Sequence, residues 1–419
     1  MNVLIVGGGG REHAIAWALK KSPKVNKIYA VPGNAGIAEI ALCYPEIKSG
    51  DFDKIAEFLK KRKDIGLTVV APDNPLADGL VDFFNERGHR AFGPVKSAAQ
   101  IESSKAFSKQ FMKKYEIPTA RYEVFDDYVE AVKYALSSKH PLVIKADGLA
   151  VGKGVYVCEN TRESKHAIDE LMQNKKFGKS GEKIIIEEFL EGPEITILAF
   201  SDGKTFAPMV SAQDHKRVFD DDKGPNTGGM GAFSPSRFYT ADVAKDFKEN
   251  IMKKTLDGFK KEGIIFKGVL YFGLMLTSEG LKVIEYNARF GDPETQVVLP
   301  RLKTDILDIF NACVDGTLSK LKIEWEKNCC VCVILASGGY PGEFEKGLPI
   351  TVKDIDDDVM LFHAGTAKSG RKLITDGGRV LGVTVCGKSI VDARAKAYKN
   401  IESIKFENMH FRKDIGIKK

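Results

Sequence analysis

Residues 2–6, Asn2-Val3-Leu4-Ile5-Val6, are apolar after the first position and run into four glycines, Gly7–Gly10. Arg11–Lys20 follows, with Ala14, Ile15, Ala18 and Leu19 spaced to line one side of a helix. A strand with no polar face must be covered on both sides. A strand that hands straight to a helix builds that cover by crossing to a parallel neighbour. The pattern repeats: strand Lys27–Val31, helix Asp53–Lys63, strand Leu67–Ala71, helix Ala77–Arg87 and a short strand Ala91–Gly93. The N-terminal part is therefore expected to be a parallel α/β domain. Its ligand loops should follow the strands, at Gly7–Gly10, Pro32–Asn34 and Pro72–Pro75.

A glycine turn at a helix N-terminus is an anion site. Two features argue against a dinucleotide fold. Glu12 stands at the third fingerprint position in place of glycine, and the second strand ends in Pro32-Gly33-Asn34 with no acid to hold a ribose. Phosphate binding at Gly7–Gly10 is expected, and NAD is not.

At 419 residues the chain has room for several domains of about 100–200 residues each. A net charge of +6 is spread along the chain and not gathered into a patch or tail, so anionic small molecules are favoured and no nucleic-acid partner is expected. No apolar run is long enough to span a membrane. The N-terminus has neither a basic segment nor a cleavage site, so no export signal is expected. The seven cysteines include Cys329, Cys330 and Cys332, which lack metal-site spacing. In a strand Cys330 and Cys332 face one way and Cys329 the other; they read as small buried hydrophobes in a reducing cytoplasm.

After a boundary near Pro94–Ala99, helix Glu102–Tyr115 carries Lys105, and strand Pro141–Ala146 carries Lys145 near its end. Asp147–Gly154 then links to strand Val155–Cys158. This loop is a near miss to a P-loop: it is one residue short, Gly154 replaces the Ser or Thr, and no helix follows. It reads either as a glycine flap over phosphates or as a mobile hairpin loop. Strand Lys183–Glu187 leads through the carboxylate-rich link Glu188–Glu194 to strand Ile195–Phe200. That link faces a cleft or is a plain solvated turn.

Asp214-His215-Lys216-Arg217 is a charge run, a pattern that usually marks a solvated face. Gly224–Gly231 carries enough glycine to form an anion nest. Helix Ala241–Gly258 precedes an expected hairpin, Gly268–Leu276 with the strand that opens Leu281–Val298. Residues i and i+2 of a strand share a face, so Glu285 and Asn287 project together. A carboxylate beside a carboxamide suits Mg²⁺, and Arg289 lies within reach of a phosphoryl oxygen. An ordinary polar strand end reads the same way; a nucleotide site elsewhere in the chain has to decide. Beyond Asn328, strands Cys330–Ala336, Met360–His363 and Val380–Val385 with helix Ser389–Ser403 form a small α+β unit.

The order Lys105, Lys145, Glu187–Glu194, Glu285/Asn287 resembles the ATP-grasp enzymes. The motifs GGGGREH (Gly7–His13), PGNAG (Pro32–Gly36), DHKR (Asp214–Arg217), GPNTGGMGA (Gly224–Ala232), RFGDPETQ (Arg289–Gln296), GGYPG (Gly338–Gly342), FHAGT (Phe362–Thr366) and RKDIG (Arg412–Gly416) are similar to the phosphoribosylamine–glycine ligase family. The resemblance covers essentially the whole chain, and DHKR followed by GPNTGGMG is its most specific part. Ending just after RKDIG, the chain looks like the single-function form.

The resemblance implies an N-terminal α/β domain over 1–101, an ATP-grasp domain over 102–326 with a flap subdomain at about 120–192, and a C-terminal α+β domain over 327–419. It implies that ATP phosphorylates glycine and that 5-phosphoribosylamine attacks the glycyl phosphate, in purine biosynthesis. Lys105 and Lys145 would hold the ATP phosphates under a flap with Gly148, Gly152 and Lys153. Glu187, Glu188 and Leu190 would frame adenine, and Glu194 would bind ribose. Glu285 and Asn287 would hold Mg²⁺, with Mn²⁺ as an alternative, and Arg289 would steady the transferring phosphoryl group. Asp214 would meet the glycine amine. Lys216, Asn226, Thr227, Gly228, Gly229, Asp292, Pro293 and Glu294 would complete the substrate site, with Gly9 and Gly10 at the phosphoribosyl group. A monomer is expected. One departure stands out: many ATP-grasp proteins carry an acid on the strand before Glu285, and here that strand reads Tyr271-Phe272-Gly273-Leu274-Met275. One metal ion is expected, and the ligands for a second are fewer. Another ATP-grasp carboxylate–amine ligase, an NAD-dependent oxidoreductase and a non-catalytic nucleotide sensor are the rival readings.

Overall fold

The computed structural model describes residues 1–149 and 154–417. The first sheet is parallel, in the order β3-β2-β1-β4-β5, from β1 (Asn2–Gly7), β2 (Lys27–Pro32), β3 (Leu42–Cys43), β4 (Ile65–Val70) and β5 (Ala91–Phe92). Helices α1 (Gly10–Lys20) and α2 (Phe52–Lys61) cover it, and β1 is buried from end to end, as a two-sided strand must be. The single helix expected over 77–87 is instead two, α3 (Asp73–Asp78) and α4 (Leu80–Glu86). Gly79 separates them at φ +95°, a left-handed conformation that ends one helix and redirects the chain.

A second difference lies at the expected boundary. Helix α5 (Lys96–Ser103) runs through it, and α6 (Lys105–Lys114) starts one residue later. Ser104 breaks the run because it is extended and its hydroxyl caps α6, accepting from Phe107 N–H at 3.1 Å. The same serine and the Ala106 N–H bond to Asp147, so the start of α6 is pinned to the strand that carries Lys145.

The flap unit is an antiparallel sheet in the order β6-β9-β7-β8, from β6 (Tyr122–Phe125), β7 (Leu142–Ala146), β8 (Val155–Cys158) and β9 (Ile184–Glu188), backed by α7 (Tyr128–Ser137) and α8 (Thr161–Ile168). Residues 189–193 link it to β10 (Glu194–Asp202) of the central sheet. That sheet runs β11-β10-β16-β17, with β11 (Phe206–Pro208), β16 (Lys267–Thr277) and β17 (Gly280–Asn287). A helical run over 241–261 packs beside it, holding α9 (Ala241–Asp246) and α10 (Lys253–Lys261).

The DHKR and glycine-rich motifs do not form a solvated face. They contribute β12 (Gln213–Asp214), the ribbon β13 (Arg217–Phe219) with β14 (Lys223–Asn226), and β15 (Gly231–Ser234). Asp214 is 5% exposed and His215 fully buried. Strands β12 and β15 join the C-terminal sheet, which runs β12-β15-β18-β23-β20. The central region also supplies α11 (Thr295–Val298) and α12 (Ile306–Asp315). The C-terminal strands are β18 (Cys329–Ala336), β19 (Thr351–Val352), β20 (Val359–His363), β21 (Thr366–Ser369), β22 (Lys372–Thr375) and β23 (Arg379–Gly387), closed by α13 (Ile390–Ile401). One apolar core joins β1 and β4 to β16, α12 and β18, so the N-terminal, central and C-terminal parts pack as one body around the cleft.

Candidate active site

Leu281 and Val283 of β17 point into the core. Strict alternation would send Glu285 and Asn287 to that same apolar face. The strand avoids this with a bulge: Val283 pairs Leu274, Glu285 pairs Gly273, and Ile284 is the extra residue. Beyond it Tyr286 and Ala288 take the core positions, and Glu285 and Asn287 turn together into the cleft. Opposite, a Cβ on Gly273 would stand 3.1 Å from Glu285 Cγ, so the Glu285 side chain occupies the space an acid there would need.

Arg289 Nη2 lies 3.1 Å from both Asn287 Oδ1 and Glu102 Oε1. Glu102 also accepts the Ala288 N–H at 2.7 Å. Burial raises the Glu102 pKa against the opposing pull of Arg289. Arg289 Nε is buried without a hydrogen-bond partner among the described residues, a donor left over for a ligand.

The lysines gather on the other wall. Glu187 Oε2 is 2.9 Å from Lys145 Nζ and 3.1 Å from Lys109 Nζ, all three side chains buried. Burial alone would raise the Glu187 pKa, but the two ammoniums outweigh it and hold the carboxyl below its usual range. Burial pushes Lys109 down to about 8 despite Glu187, and it lowers Lys105 against the pull of Glu285. Lys105 Nζ donates to Gly148 O at 3.0 Å, tying α6 to the first residues of the flap loop. Gly152 and Lys153 lie outside the described residues. Glu188 turns outward to Arg121 Nε at 2.6 Å. Leu190 lies in the link between the two sheets. Glu187 Oε2 serves the lysines, and Oε1 is buried without a hydrogen-bond partner among the described residues, an acceptor left over beside the backbone to meet a base.

Between the walls, Lys216 Nζ is 2.9 Å from Glu194 and 3.8 Å from Glu285. Burial would lower its pKa; Glu194, Asp214 and Glu285 reverse that and raise it well above the usual value. Tyr271 OH donates to Glu294 Oε1 at 3.0 Å. Burial, with Asp214 beside it, pushes Glu294 up to about 7.

The far end of the cleft is built from every part of the chain. Asp292 accepts from Gln296 Nε2 at 2.7 Å and pairs with Arg379 Nη2 at 3.0 Å. Arg379 Nη1 also donates to Gly228 O at 2.6 Å and Asp292 O at 2.7 Å. Gly229 has φ +110°, and a Cβ there would strike Pro293 Cδ at 2.4 Å, so only glycine fits between the two motifs. Thr227 holds the loop, donating to Lys216 O at 2.8 Å, and Asn226 ends the ribbon beside it. Gly9 N–H donates to Glu12 Oε2 at 2.6 Å, and Cβ atoms on Gly9 and Gly10 would meet Asp292 and Gln296. The residue that argued against a dinucleotide turn is thus the cap of that turn.

Lys109, Glu102, Tyr271, Gln296 and Arg379 were missed by sequence reasoning. Lys109 had a signal, lying one helical turn after Lys105. Arg379 had none, since its partner Asp292 is 87 residues away.

Two antiparallel sheets face one cleft, lysines on one wall and a Glu-x-Asn strand end on the other; this is the arrangement of an ATP-grasp enzyme. Three family models match the chain: phosphoribosylglycinamide synthetase N domain over residues 1–102, its ATP-grasp (A) domain over 103–295 and its C domain over 330–418. The chain belongs to the phosphoribosylglycinamide synthetase family, ATP-dependent carbon–nitrogen ligases of purine biosynthesis also named phosphoribosylamine–glycine ligases. It is similar to the phosphoribosylamine–glycine ligase of Caldanaerobacter subterraneus subsp. tengcongensis, 50% identical over 99% of both chains. It is 47% identical to the trifunctional purine biosynthetic protein adenosine-3 of Gallus gallus, over 99% of this chain and 42% of that protein. Among solved structures, phosphoribosylamine–glycine ligase from Thermotoga maritima matches with a TM-score of 0.87 and 36% identity, over 99% of this chain and 100% of the other.

Proposed function

We propose that the chain joins glycine to 5-phosphoribosylamine through glycyl phosphate, and that the residues lining the cleft divide the work by wall. The single observation that carries this reading is the convergence on Glu285 of Lys105, Lys145, Arg289 and Lys216, with Glu194 and Asp214 beside that last lysine. Lys105 and Lys145 hold the ATP phosphates, and Arg289 Nε meets the transferring group. Glu187, Glu188 and Leu190 frame the base, partly by backbone, and Glu194 takes the ribose.

Among the described residues no three His, Cys, Asp or Glu side chains surround one metal position. Two hard oxygens, Glu285 and Asn287, do fit Mg²⁺, which leaves most of its shell to phosphate and water. Bound there, the ion would neutralise charge on the phosphates. No protein nucleophile is required. The glycine carboxylate attacks the γ-phosphorus of ATP and ADP leaves. The phosphoribosylamine nitrogen then attacks the acyl carbon and inorganic phosphate leaves. Asp214 meets the glycine amine, and the Asn226–Gly229 loop and Lys216 cradle the carboxylate and acyl phosphate. Glu294, titrating near neutrality, can take the proton the attacking amine loses. Gly9, Gly10, Asp292 and Pro293 line the phosphoribosyl end. The reading extends to a monomer acting in the cytoplasm, a compartment that seven free cysteines support. Among the described residues no helix is long and apolar enough to cross a membrane.

The test is ADP release with ATP, Mg²⁺ and glycine, with and without phosphoribosylamine formed in place from ribose 5-phosphate and ammonia. Turnover that needs both substrates is expected. ADP release only with another acid or amine would keep the phosphoryl-transfer chemistry and discard these substrates.

A further inference from the structure

Cys330 of β18 and Cys386 of β23 stand directly opposite each other in the antiparallel register. Such partners share a face and lie about 4.5 or 5.5 Å apart at Cα, inside the window of about 4.4–6.8 Å that a disulfide spans. Cys330 is fully buried, whereas Cys386 is half-buried and opens into a surface cavity of about 450 Å³ lined by Lys327, Asn328, Gly387 and Lys388. Behind the pair lies Arg301, itself 5% exposed, which donates to Ser234 Oγ at 2.6 Å. Its Nε is buried with no acceptor among the described residues. Lys21, at the end of α1, adds a second positive charge.

We propose that Cys386 and Cys330 form an oxidant-responsive dithiol, in which a small hydroperoxide entering the Lys327/Lys388 cavity oxidises Cys386 and Cys330 closes a disulfide. The two thiols differ in the way this division of labour needs. A hydrogen bond from Cys330, helped by Arg301 and Lys21, holds the Cys386 thiol below its usual pKa against the opposing effect of burial. Burial and the neighbouring Cys386 push Cys330 well up, so it keeps its proton until the second step. In the first step the Cys386 thiolate attacks the O–O bond. One oxygen joins sulfur as sulfenic acid, and the other leaves as alcohol or water after taking a proton. In the second, the Cys330 sulfur attacks the Cys386 sulfur, and hydroxide leaves with the Cys330 proton as water. Two thiols lose two electrons and one hydroperoxide gains them.

The test is a titration of the full-length, non-denatured protein with hydrogen peroxide, followed by thiol blocking, digestion and mass spectrometry. Expected is a Cys330–Cys386 cross-linked peptide, reversed by dithiothreitol, formed about tenfold faster than any change at the other half-buried cysteines, Cys43 and Cys329. Cys329→Ser should leave the cross-link intact. Cys330→Ser should trap Cys386 as a sulfenic acid that dimedone captures. Cys386→Ser should leave Cys330 reduced, with the activity of the reduced enzyme unchanged. If Cys330→Ser does not fold, the wild-type peptide map and Cys386→Ser decide. Oxidation of Cys386 no faster than Cys43 or Cys329, a cross-link to Cys329 or Cys332, or a link between two chains would each overturn the proposal.

Discussion

Around Glu187, the partners Lys109 and Lys145 both come from the region matched by the ATP-grasp (A) domain, and the contacts lie within 3.1 Å. Around Asp292, the partners are Gln296 one helical turn away and Arg379 from the C-terminal sheet, with Gly228 held by the same arginine. Both are charge clusters on one cleft, the first buried and the second partly exposed. The first sits on three elements of that one region, α6, β7 and β9, and Asp147 ties the start of α6 to the end of β7. The second exists only because β12 and β15 leave the central region to pair with β18, so that β23 can reach back to the glycine loop. The difference predicts how each corner fails. Damage near Glu187 should stay local to ATP, while damage near Asp292 should touch the acceptor and the packing of the three parts.

The largest effect should come from the wall both corners share. Glu285→Gln removes the only carboxylate of the Glu-x-Asn pair and should lower kcat by about 10²–10³-fold. An unchanged kcat at saturating Mg²⁺ would move the metal site elsewhere.

Next comes a pH effect on the join between the N- and C-terminal parts. His363 N–H donates to His13 Nδ1 at 2.8 Å, and the His363 ring meets Thr366 Oγ1 at 3.1 Å. Burial lowers His13 to about 3, with His363 adding to it, and lowers His363 to about 4, with Lys368 adding to it. Both folded values lie below the unfolded value near 6.5, so on acidification the unfolded chain takes the protons first. Stability should therefore fall as the pH drops from about 6.5 toward 4, by roughly 2 kcal/mol per histidine at pH 5. Denaturant melts of His363→Gln against the parent should show a shallower fall; parallel curves would remove this histidine from the pH response.

Arg379→Ala should raise the KM for phosphoribosylamine by about 30-fold, in line with a charge-assisted hydrogen-bond pair, and leave the KM for ATP nearly unchanged. A matching rise for ATP would erase the distinction between the two corners. Lys145→Ala is the mildest, because Lys109 still neutralises Glu187. It should raise the KM for ATP by about tenfold and that for glycine much less. The reverse pattern would take Lys145 out of the phosphate corner.

Much of this molecule is legible in its sequence. Alternation and turn chemistry located β1, β2, β16, β17, β18 and β23 to within a residue or two at each end. They failed where one residue changed the geometry. Gly79 splits a helix and Ser104 starts a new one, since a left-handed glycine or a capping hydroxyl outweighs helical periodicity across it. The charge run at Asp214 was misleading for another reason. Composition says such runs are solvated, but Asp214 and His215 are buried, and Lys216 turns into the cleft, where Glu194 and Glu285 meet its charge.

The sequence by itself determined the residue types at the site and their order, and the parallel α/β character of the N-terminal sheet, because helical and strand periods and glycine turns are local properties. Tertiary structure alone decided which face Glu285 and Asn287 present, through one extra residue at Ile284 that period-2 reading cannot see. It also decided that Arg379 reaches Asp292 and that Cys330 meets Cys386. Strand pairing over such separations is selected by the packing of whole sheets, and no short stretch of chain carries its signal.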